Sequence, residues 1–483
     1  MTETAEATAT PGLDGTQLQY RRRWAGLAVL LAGTILSPVD FFIVNVALPS
    51  ISEDLAAGPT PTQLIVAAYS SAYAVLLITG GRLGDLFGRR RIFLIGLSGF
   101  GLASALSGTA WSADVLVGAR TLQGAFAAVL MPQALAAIRT MFPERERPKA
   151  LGVYGMTFGA GSVIGQLMGG VLIAVDPWGL GWRSVFLVNL PIVLVVAPLA
   201  RVLLPENRPP RASTADPAGV IMLAIALGAL VVPLTVGPEQ NWPWWTVVLP
   251  ICCPPLLVLF WHQEHRLLQR GADPVVPPPL LRIPGLVRAL TAALFFNAFA
   301  SLFLVFSVYQ QAGRSSGPLS AGLAIVPLGI GFVSSPLALA RLTERLGDRV
   351  VVLGTALVTT GLLGTACASL SSSPWPLAAA LLVTGAGQGL TLPALARLVI
   401  ERVRGRWAGM ASGLVNSALQ IGGSLAVALV GSLFYAVLGV HPRPDDAQRA
   451  FFWATTTIAL CTAVAAWLVN GLAASAQTSS EES

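Results

Sequence analysis

Charge is scarce in this 483-residue chain: 30 Arg/Lys and 23 Asp/Glu make up 11% of it, where a soluble domain carries roughly a quarter. So small a polar complement cannot cover a soluble protein of this length, which excludes a soluble enzyme and a nucleic-acid reader. Histidine is nearly missing, with three residues. His262 and His265 flank Glu264 at a water interface without further ligands, so no metal site is expected. Four cysteines, Cys252, Cys253, Cys367 and Cys461, all fall inside apolar runs, too scattered for a metal and misplaced for a disulfide framework. Lysine is reduced to Lys149. No Gly-x4-Gly-Lys-Ser/Thr phosphate loop occurs, and no plausible Ser/His/acid set lies at one membrane depth. The chain is therefore not expected to be an enzyme, to drive itself with ATP or to carry a cofactor.

Apolar residues fill the space, at 54%. They form long runs near 24–49, 62–80, 91–110, 114–139, 149–174, 183–204, 217–236, 244–262, 285–311, 319–341, 350–370, 375–398, 408–438 and 450–471. About 20 such residues cross a bilayer as a helix, whereas an outer-membrane barrel shows short alternating segments. The first run is too long for a signal-peptide core and counts as a span. Fourteen spans leave both termini on one side. With the gaps numbered in order, the N-terminus and even gaps hold 25 of the 30 basic residues, and the odd gaps hold Arg183, Arg314, Arg443 and Arg449. By the positive-inside rule both termini are cytoplasmic in a multi-pass plasma (cell inner) membrane protein. The net charge of +7 is read as orientation, with no nucleic-acid partner.

A short internal repeat organises the spans. Arg82-Leu83-Gly84-Asp85-Leu86-Phe87-Gly88-Arg89-Arg90 matches Arg341-Leu342-Thr343-Glu344-Arg345-Leu346-Gly347-Asp348-Arg349 at a constant offset of 259. If spans seven and eight are an insertion, both copies join a second to a third helix of a six-helix unit. The expected fold is an all-α integral membrane protein of two pseudo-symmetric six-helix bundles plus two inserted helices. The units are a tail at 1–23, a bundle at 24–204, inserted helices and a Pro-rich linker at 205–284, a second bundle at 285–471 and a tail at 472–483.

The second gap, Gly81-Arg82-Leu83-Gly84-Asp85-Leu86-Phe87-Gly88-Arg89-Arg90-Arg91, resembles the loop signature of the major facilitator superfamily. The resemblance extends through nearly the whole chain, in the pattern of the fourteen-helix drug:proton antiporter branch. Val39-Asp40-Phe41-Phe42-Ile43-Val44-Asn45-Val46-Ala47-Leu48-Pro49 is similar to that branch's first-helix motif, with Phe42 where threonine is usual. Arg120-Thr121-Leu122-Gln123-Gly124-Ala125 is similar to its arginine motif, and Gly152, Gly161, Gly165, Gly169 and Gly170 keep the spacing of its antiporter motif. Gln166 replaces the expected proline, which keeps the packing role of the glycines but leaves a proline hinge unsupported. Trp182-Arg183-Ser184-Val185-Phe186-Leu187-Val188-Asn189-Leu190-Pro191 and Ala411-Ser412-Gly413-Leu414-Val415-Asn416 are also similar. The resemblance implies a conformational latch at Gly81, Asp85, Gly88 and Arg89, proton coupling at Arg120, and no accessory ATPase subunit.

The residues themselves point the same way. Asp40 is the one acid and Arg120 the one basic residue well inside spans. Such groups are costly there and usually functional. Both fall in the outer half, so they can share a polar pocket in which proton binding by Asp40 and pairing with Arg120 alternate. The alternative is two structural anchors satisfied by backbone or by Asn45 and Gln123. Candidate cavity residues are Tyr69, Tyr73, Gln123, Gln166, Phe295, Phe299, Asn416 and Gln420. The Phe295, Phe299, Phe303, Phe306 stripe serves equally well as packing or as a lipid face, while Asn416 and Gln420 are costly unless they face polar partners. The function these features imply is proton-driven export of hydrophobic or amphipathic small molecules, such as drugs or antibiotics. A symporter and, further off, a non-transporting membrane protein are the alternatives.

Overall fold

The structure, a computed structural model, describes residues 15–143, 145–206, 216–240, 242–271, 274–276, 278–314, 316–371, 373–403, 408–439 and 443–481. All regular structure among them is helical, the form in which an apolar run satisfies its own backbone in lipid.

Several sequence runs are divided, and most divisions trace to proline. The first run is two helices, α1 (Gly15–Thr34) and α2 (Leu36–Asp54). Pro38 has no N–H for the Thr34 carbonyl one turn back, and Thr34 Oγ1 folds onto the Leu30 carbonyl at 2.8 Å. Next come α3 (Pro59–Phe87), α4 (Arg89–Gly108), α5 (Ala113–Met141) and α6 (Arg147–Val175), each continuous. Ser112 caps α5 by accepting from the Val115 N–H at 3.3 Å. The sixth run splits into α7 (Ser184–Leu187) and α8 (Asn189–Leu203), one turn before Pro191. Helices α9 (Pro217–Val236) and α10 (Trp244–Gln269) follow, then the short α11 (Pro278–Leu281).

The run at 285–311 is α12 (Leu286–Phe296), a 3₁₀ turn at Asn297–Ala300, α13 (Ser301–Val308) and a wider turn at Tyr309–Gly313. No proline lies there. Instead Asn297 Nδ2 donates to the Leu419 carbonyl at 2.7 Å, and Ser301 Oγ to the Ala298 carbonyl at 2.7 Å. Pro327 and Pro336 divide the next run into α14 (Pro318–Ala324), α15 (Val326–Ser334) and α16 (Pro336–Leu346). The chain closes with α17 (Arg349–Ser369), α18 (Pro374–Arg402), α19 (Ala408–Leu438) and α20 (Pro444–Glu481). The expected tails at 1–23 and 472–483 are helical from Gly15 and up to Glu481, and their remainder lies outside the described residues.

Among the described residues, eleven stretches are long and apolar enough to cross a membrane, and shorter apolar helices lie at Leu64–Leu77, Gly159–Val175 and Ala218–Pro233. Helix α3 packs on α5, α4 on α5 and α8, and α2 on α6; α15 packs on α18, α17 on α18 and α20, and α12 on α19. Contacts between these sets run from α2 to α13, α3 to α19, and α6 to α14 and α15. Helix α10 exposes most of its length and packs mainly on α9.

Small residues allow the closest approaches, as in membrane helix packing generally. A Cβ on Gly165 would stand 2.6 Å from the Val39 carbonyl oxygen, and one on Gly161 2.8 Å from the Pro38 ring. A Cβ on Gly124 would collide with the Tyr69 carbonyl. The glycine pattern thus brings α2 onto α6 and α3 onto α5, which sets the depth and facing of Asp40 and Arg120.

Candidate functional site

Asp40 on α2 and Arg120 on α5 are both fully buried and form an ion pair, Arg120 Nη1 donating to Asp40 Oδ2. Burial of two charges is tolerated only where hydrogen bonds complete the set. Here they nearly do. Gln123, three residues after Arg120 and hence on the same helix face, accepts from Arg120 Nη1 at 2.8 Å and donates to Asp40 Oδ1 at 2.7 Å. Asn189, the first residue of α8, donates to the same Oδ1 at 2.9 Å. Arg120 Nε donates to the Ile65 carbonyl at 3.2 Å, and its guanidinium lies 4.3 Å from the centre of the Tyr69 ring, a cation–π arrangement. Asp40 and Arg120 therefore share one polar pocket, as the sequence suggested. Of their two suggested partners only Gln123 serves, because Asn45 Nδ2 bonds back to the Phe41 carbonyl at 2.8 Å.

Two members of this cage escaped the sequence reading as site residues, Asn189 and Ser104. Ser104 Oγ on α4 accepts from Asn189 at 2.9 Å and Gln123 at 3.2 Å and donates to the Phe186 carbonyl at 2.9 Å. The signal for Asn189 was available, an amide within an apolar run, by the argument that selected Asn416. Ser104 gave none, since a serine in a membrane helix commonly bonds its own backbone.

The aromatic candidates form a continuous file. Tyr69 and Tyr73 stack at 6.2 Å, Tyr69 lies 6.1 Å from Phe41, Phe41 5.1 Å from Phe42, Phe42 4.2 Å from Phe303, and Phe303 5.5 Å from Phe299. Tyr69 shares a 2.6 Å hydrogen bond with Ser37 Oγ, whereas the Tyr73 hydroxyl is buried without a partner. Phe299, Phe303 and Phe306 are buried and Phe295 half-buried. That burial excludes the lipid-facing alternative for Phe299, Phe303 and Phe306, and the 3₁₀ turn interrupts the stripe. Gln166 is buried with Nε2 unpartnered, and its carbonyl would stand 2.8 Å from a Cβ on Gly322 of α14. Asn416 and Gln420 are half-buried on α19, where Ser424 Oγ donates to the Ser70 carbonyl of α3 at 2.8 Å.

At the other end of α3, Gly88 turns the chain with φ +94°, and Gly347, 259 residues on, does so with φ +56°. Only glycine adopts such angles without strain. Arg89 Nη1 donates to the Ala136 carbonyl of α5 at 2.9 Å, and Arg90 Nε pairs with Glu206 at 2.8 Å. Gln133 Nε2 donates to the Gly80 carbonyl at 2.7 Å. A Cβ on Gly81 would make only ordinary contact with Pro132, at 3.7 Å, and the Asp85 side chain lies outside the described set. Of the antiporter-type glycines, Gly161, Gly165 and Gly169 face α2, Gly170 is buried, and Gly152 lies in the first turns of α6. No group of three or more metal-type ligands occurs among the described residues.

Helices broken at prolines, crossing at glycines and enclosing a buried ion pair define a multi-span helical membrane protein with a polar centre. The chain belongs to the Major Facilitator Superfamily, whose sequence profile matches residues 30–426 and 289–483; it is a membrane transport protein and not an enzyme. It is 36% identical over 454 residues to a probable actinorhodin transporter of Streptomyces coelicolor, covering 91% of this chain and 78% of that one. It is also 36% identical over 473 residues to a puromycin resistance protein of Streptomyces alboniger, covering 93% and 91%. A tetracenomycin C resistance and export protein of Streptomyces glaucescens is 30% identical over 425 residues, covering 86% and 77%. Among solved structures, a bacterial homologue of the human drug peptide transporters shares the fold with a TM-score of 0.65 at 14% identity, covering 93% of this chain and 98% of that one.

Proposed function

We propose that this chain exports hydrophobic or amphipathic small molecules, of the antibiotic kind, in exchange for protons. The observation that carries the reading is the buried Asp40–Arg120 pair. A carboxylate whose counter-ion stands on another helix can exchange that partner for a proton, and the exchange frees the two helices to part. The relatives named for export of and resistance to antibiotics support the direction and the substrate class. The energy source is the proton gradient, with no accessory ATPase subunit.

Transport proceeds by rocking of two six-helix bundles, 24–204 and 285–471, around a midplane site, with two helices inserted at 205–284. Three observations support this layout of fourteen spans. The three shorter apolar helices, added to the eleven longer ones, reach that number. The pairings of α2 to α8 recur in α12 to α20. The glycine turns at Gly88 and Gly347 repeat at the sequence offset. Orientation with both termini cytoplasmic in the plasma membrane is supported by the basic gaps and by exposed Trp111, Trp178, Trp244 and Trp375 at odd-numbered gaps, an aromatic belt at the outer interface. Tyr73, Gln166, Phe295, Phe299, Asn416 and Gln420 line the substrate path, Tyr69 and Gln123 serve the ion pair, and Gly81, Asp85, Gly88 and Arg89 form the latch.

The test is drug movement in inside-out vesicles carrying the protein, with an imposed proton gradient and then with an uncoupler. Gradient-driven uptake into the vesicles, lost with the uncoupler, is the expected outcome. Movement in the opposite sense would make the chain a symporter, and movement indifferent to the gradient would remove proton coupling.

A further inference from the structure

The hydrogens that reach Asp40 Oδ1, and those of Asn189 Nδ2 and Ser104 beside it, can all be assigned, and one acceptor is left over. Asn189 Nδ2 spends one N–H on Asp40 Oδ1 and the other on Ser104 Oγ, at 2.9 Å each. Ser104 Oγ already accepts from Asn189 and Gln123, so its own hydrogen goes to the Phe186 carbonyl. Gln123 Oε1 is held by Arg120. Asn189 Oδ1 is buried and has no partner, an arrangement that is costly in a protein interior.

This set is complementary to a carboxylate and wrong for a carboxylic acid. A proton placed on Asp40 Oδ1 would point at two N–H groups, and among the described residues bonded to Asp40 the one spare acceptor is Asn189 Oδ1. The carbonyl and amine ends of an asparagine amide exchange places by half a turn about a soft torsion. Turned over, Asn189 accepts the new O–H of Asp40. Ser104 then faces an acceptor instead of a donor, and its hydroxyl hydrogen moves from the Phe186 carbonyl to Asn189 Oδ1. Phe186 lies in α7, two residues before the α7–α8 break at Val188.

We propose that Asn189 is a positioning residue that follows the proton on Asp40, donating to the carboxylate and accepting from the acid, and that Ser104 passes the change to the α7–α8 junction. The proposal rests on the reading of Asp40 as the proton carrier. No other titratable or charged group competes for the role among the described residues packed on Asp40. Arg120 from α5 holds Oδ2, and Tyr69 from α3 lies under Arg120 with its hydroxyl on Ser37. Helices α4 and α8 bring only Ser104 and Asn189, and α6 brings glycines.

The test is pH-difference infrared spectroscopy of the full-length protein in lipid, with asparagine side chains isotopically labelled. An asparagine carbonyl band that titrates together with the Asp40 carboxyl band, and is lost in Asn189→Thr, is expected. A carboxyl band that titrates with no asparagine band beside it overturns the proposal and spares the proton-carrier reading. No titrating carboxyl band in a transport-active protein overturns the carrier reading itself. In transport, Asn189→Leu should lower turnover about tenfold or more at unchanged KM, the scale of one lost hydrogen bond to a charged group. Asn189→Thr, whose hydroxyl both donates and accepts, should recover most of that loss. Ser104→Ala should keep both infrared bands and lose turnover. Wild-type turnover in Ser104→Ala would end the relay at Asn189.

Discussion

Asp40 accepts three hydrogen bonds from three different residues, Arg120, Gln123 and Asn189, so its charge state is felt by α5 and α8 at once. Asn at position 40 imitates the protonated acid and cannot release a proton. Asp40→Asn is therefore expected to insert normally and to lose drug-coupled proton movement in vesicles; wild-type coupled efflux would take Asp40 out of the role. Arg120 makes a different demand. Its fork reaches Asp40, Gln123 and the Ile65 carbonyl while its plane covers Tyr69, which a lysine ammonium cannot reproduce. Arg120→Ala leaves a buried carboxylate without its counter-ion, a change that costs about 3–5 kcal/mol in proteins. Arg120→Ala is expected to impair transport more than Arg120→Lys, both measured as initial efflux rates at equal membrane content. A fully active alanine variant would make Arg120 a structural residue only.

Helices meet here where a side chain is missing. Gly124 lies one residue after Gln123 and rests on the backbone of Tyr69, where a methyl group has no room. Gly124→Ala must push α3 away from α5 and carry the Tyr69 ring off Arg120. Overpacking of this kind costs about 1–3 kcal/mol, so a lower Tm of the purified protein together with reduced transport is expected; an unchanged Tm would show that the two helices adjust freely. How helices break differed in legibility. Pro38, Pro191, Pro327 and Pro336 announce the interruptions that follow from a missing N–H. The turn at Asn297–Ala300 has no such mark, because its cause is the Leu419 carbonyl on α19, 122 residues away. Helix α6 shows the opposite case. Without a proline at position 166 it runs unbroken from Arg147 to Val175, and Gly161, Gly165 and Gly169 still seat it on α2.

In the proposed rocking cycle, the loop after α3 is the latch that biases the side on which the centre is open. Arg89 and Arg90 tie it to α5 and to Glu206 beyond α8, while Gln133 holds the Gly80 carbonyl. Charge at a helix end is worth about 0.3–1 kcal/mol, up to about 2 when partly buried. Removing it through Asp85→Asn would shift a two-state balance by severalfold to about thirtyfold. Cysteine-accessibility labelling from each side of the membrane should therefore show an altered inward/outward ratio at unchanged affinity for each state. Lost ligand binding with an unaltered ratio would place Asp85 in the site.

Membrane residence, the helical fold, the two lone intramembrane charges and the glycine turn of the repeat were all determined by the sequence alone. They follow from local rules: an apolar run of sufficient length must be helical in lipid, a charge within it must find a partner, and a backbone with positive φ favours glycine. Gln123 was legible as well, because a spacing of three residues puts it on the Arg120 face. The tertiary structure alone decided that Asn189 and Ser104 complete the cage, that Asn45 turns away to its own helix, and that the phenylalanine file faces inward. Those outcomes depend on which faces of α2, α4, α5, α8 and α13 meet. In a chain apolar all round its helices, no periodicity marks the inner face, so only packing against the neighbouring helices selects it.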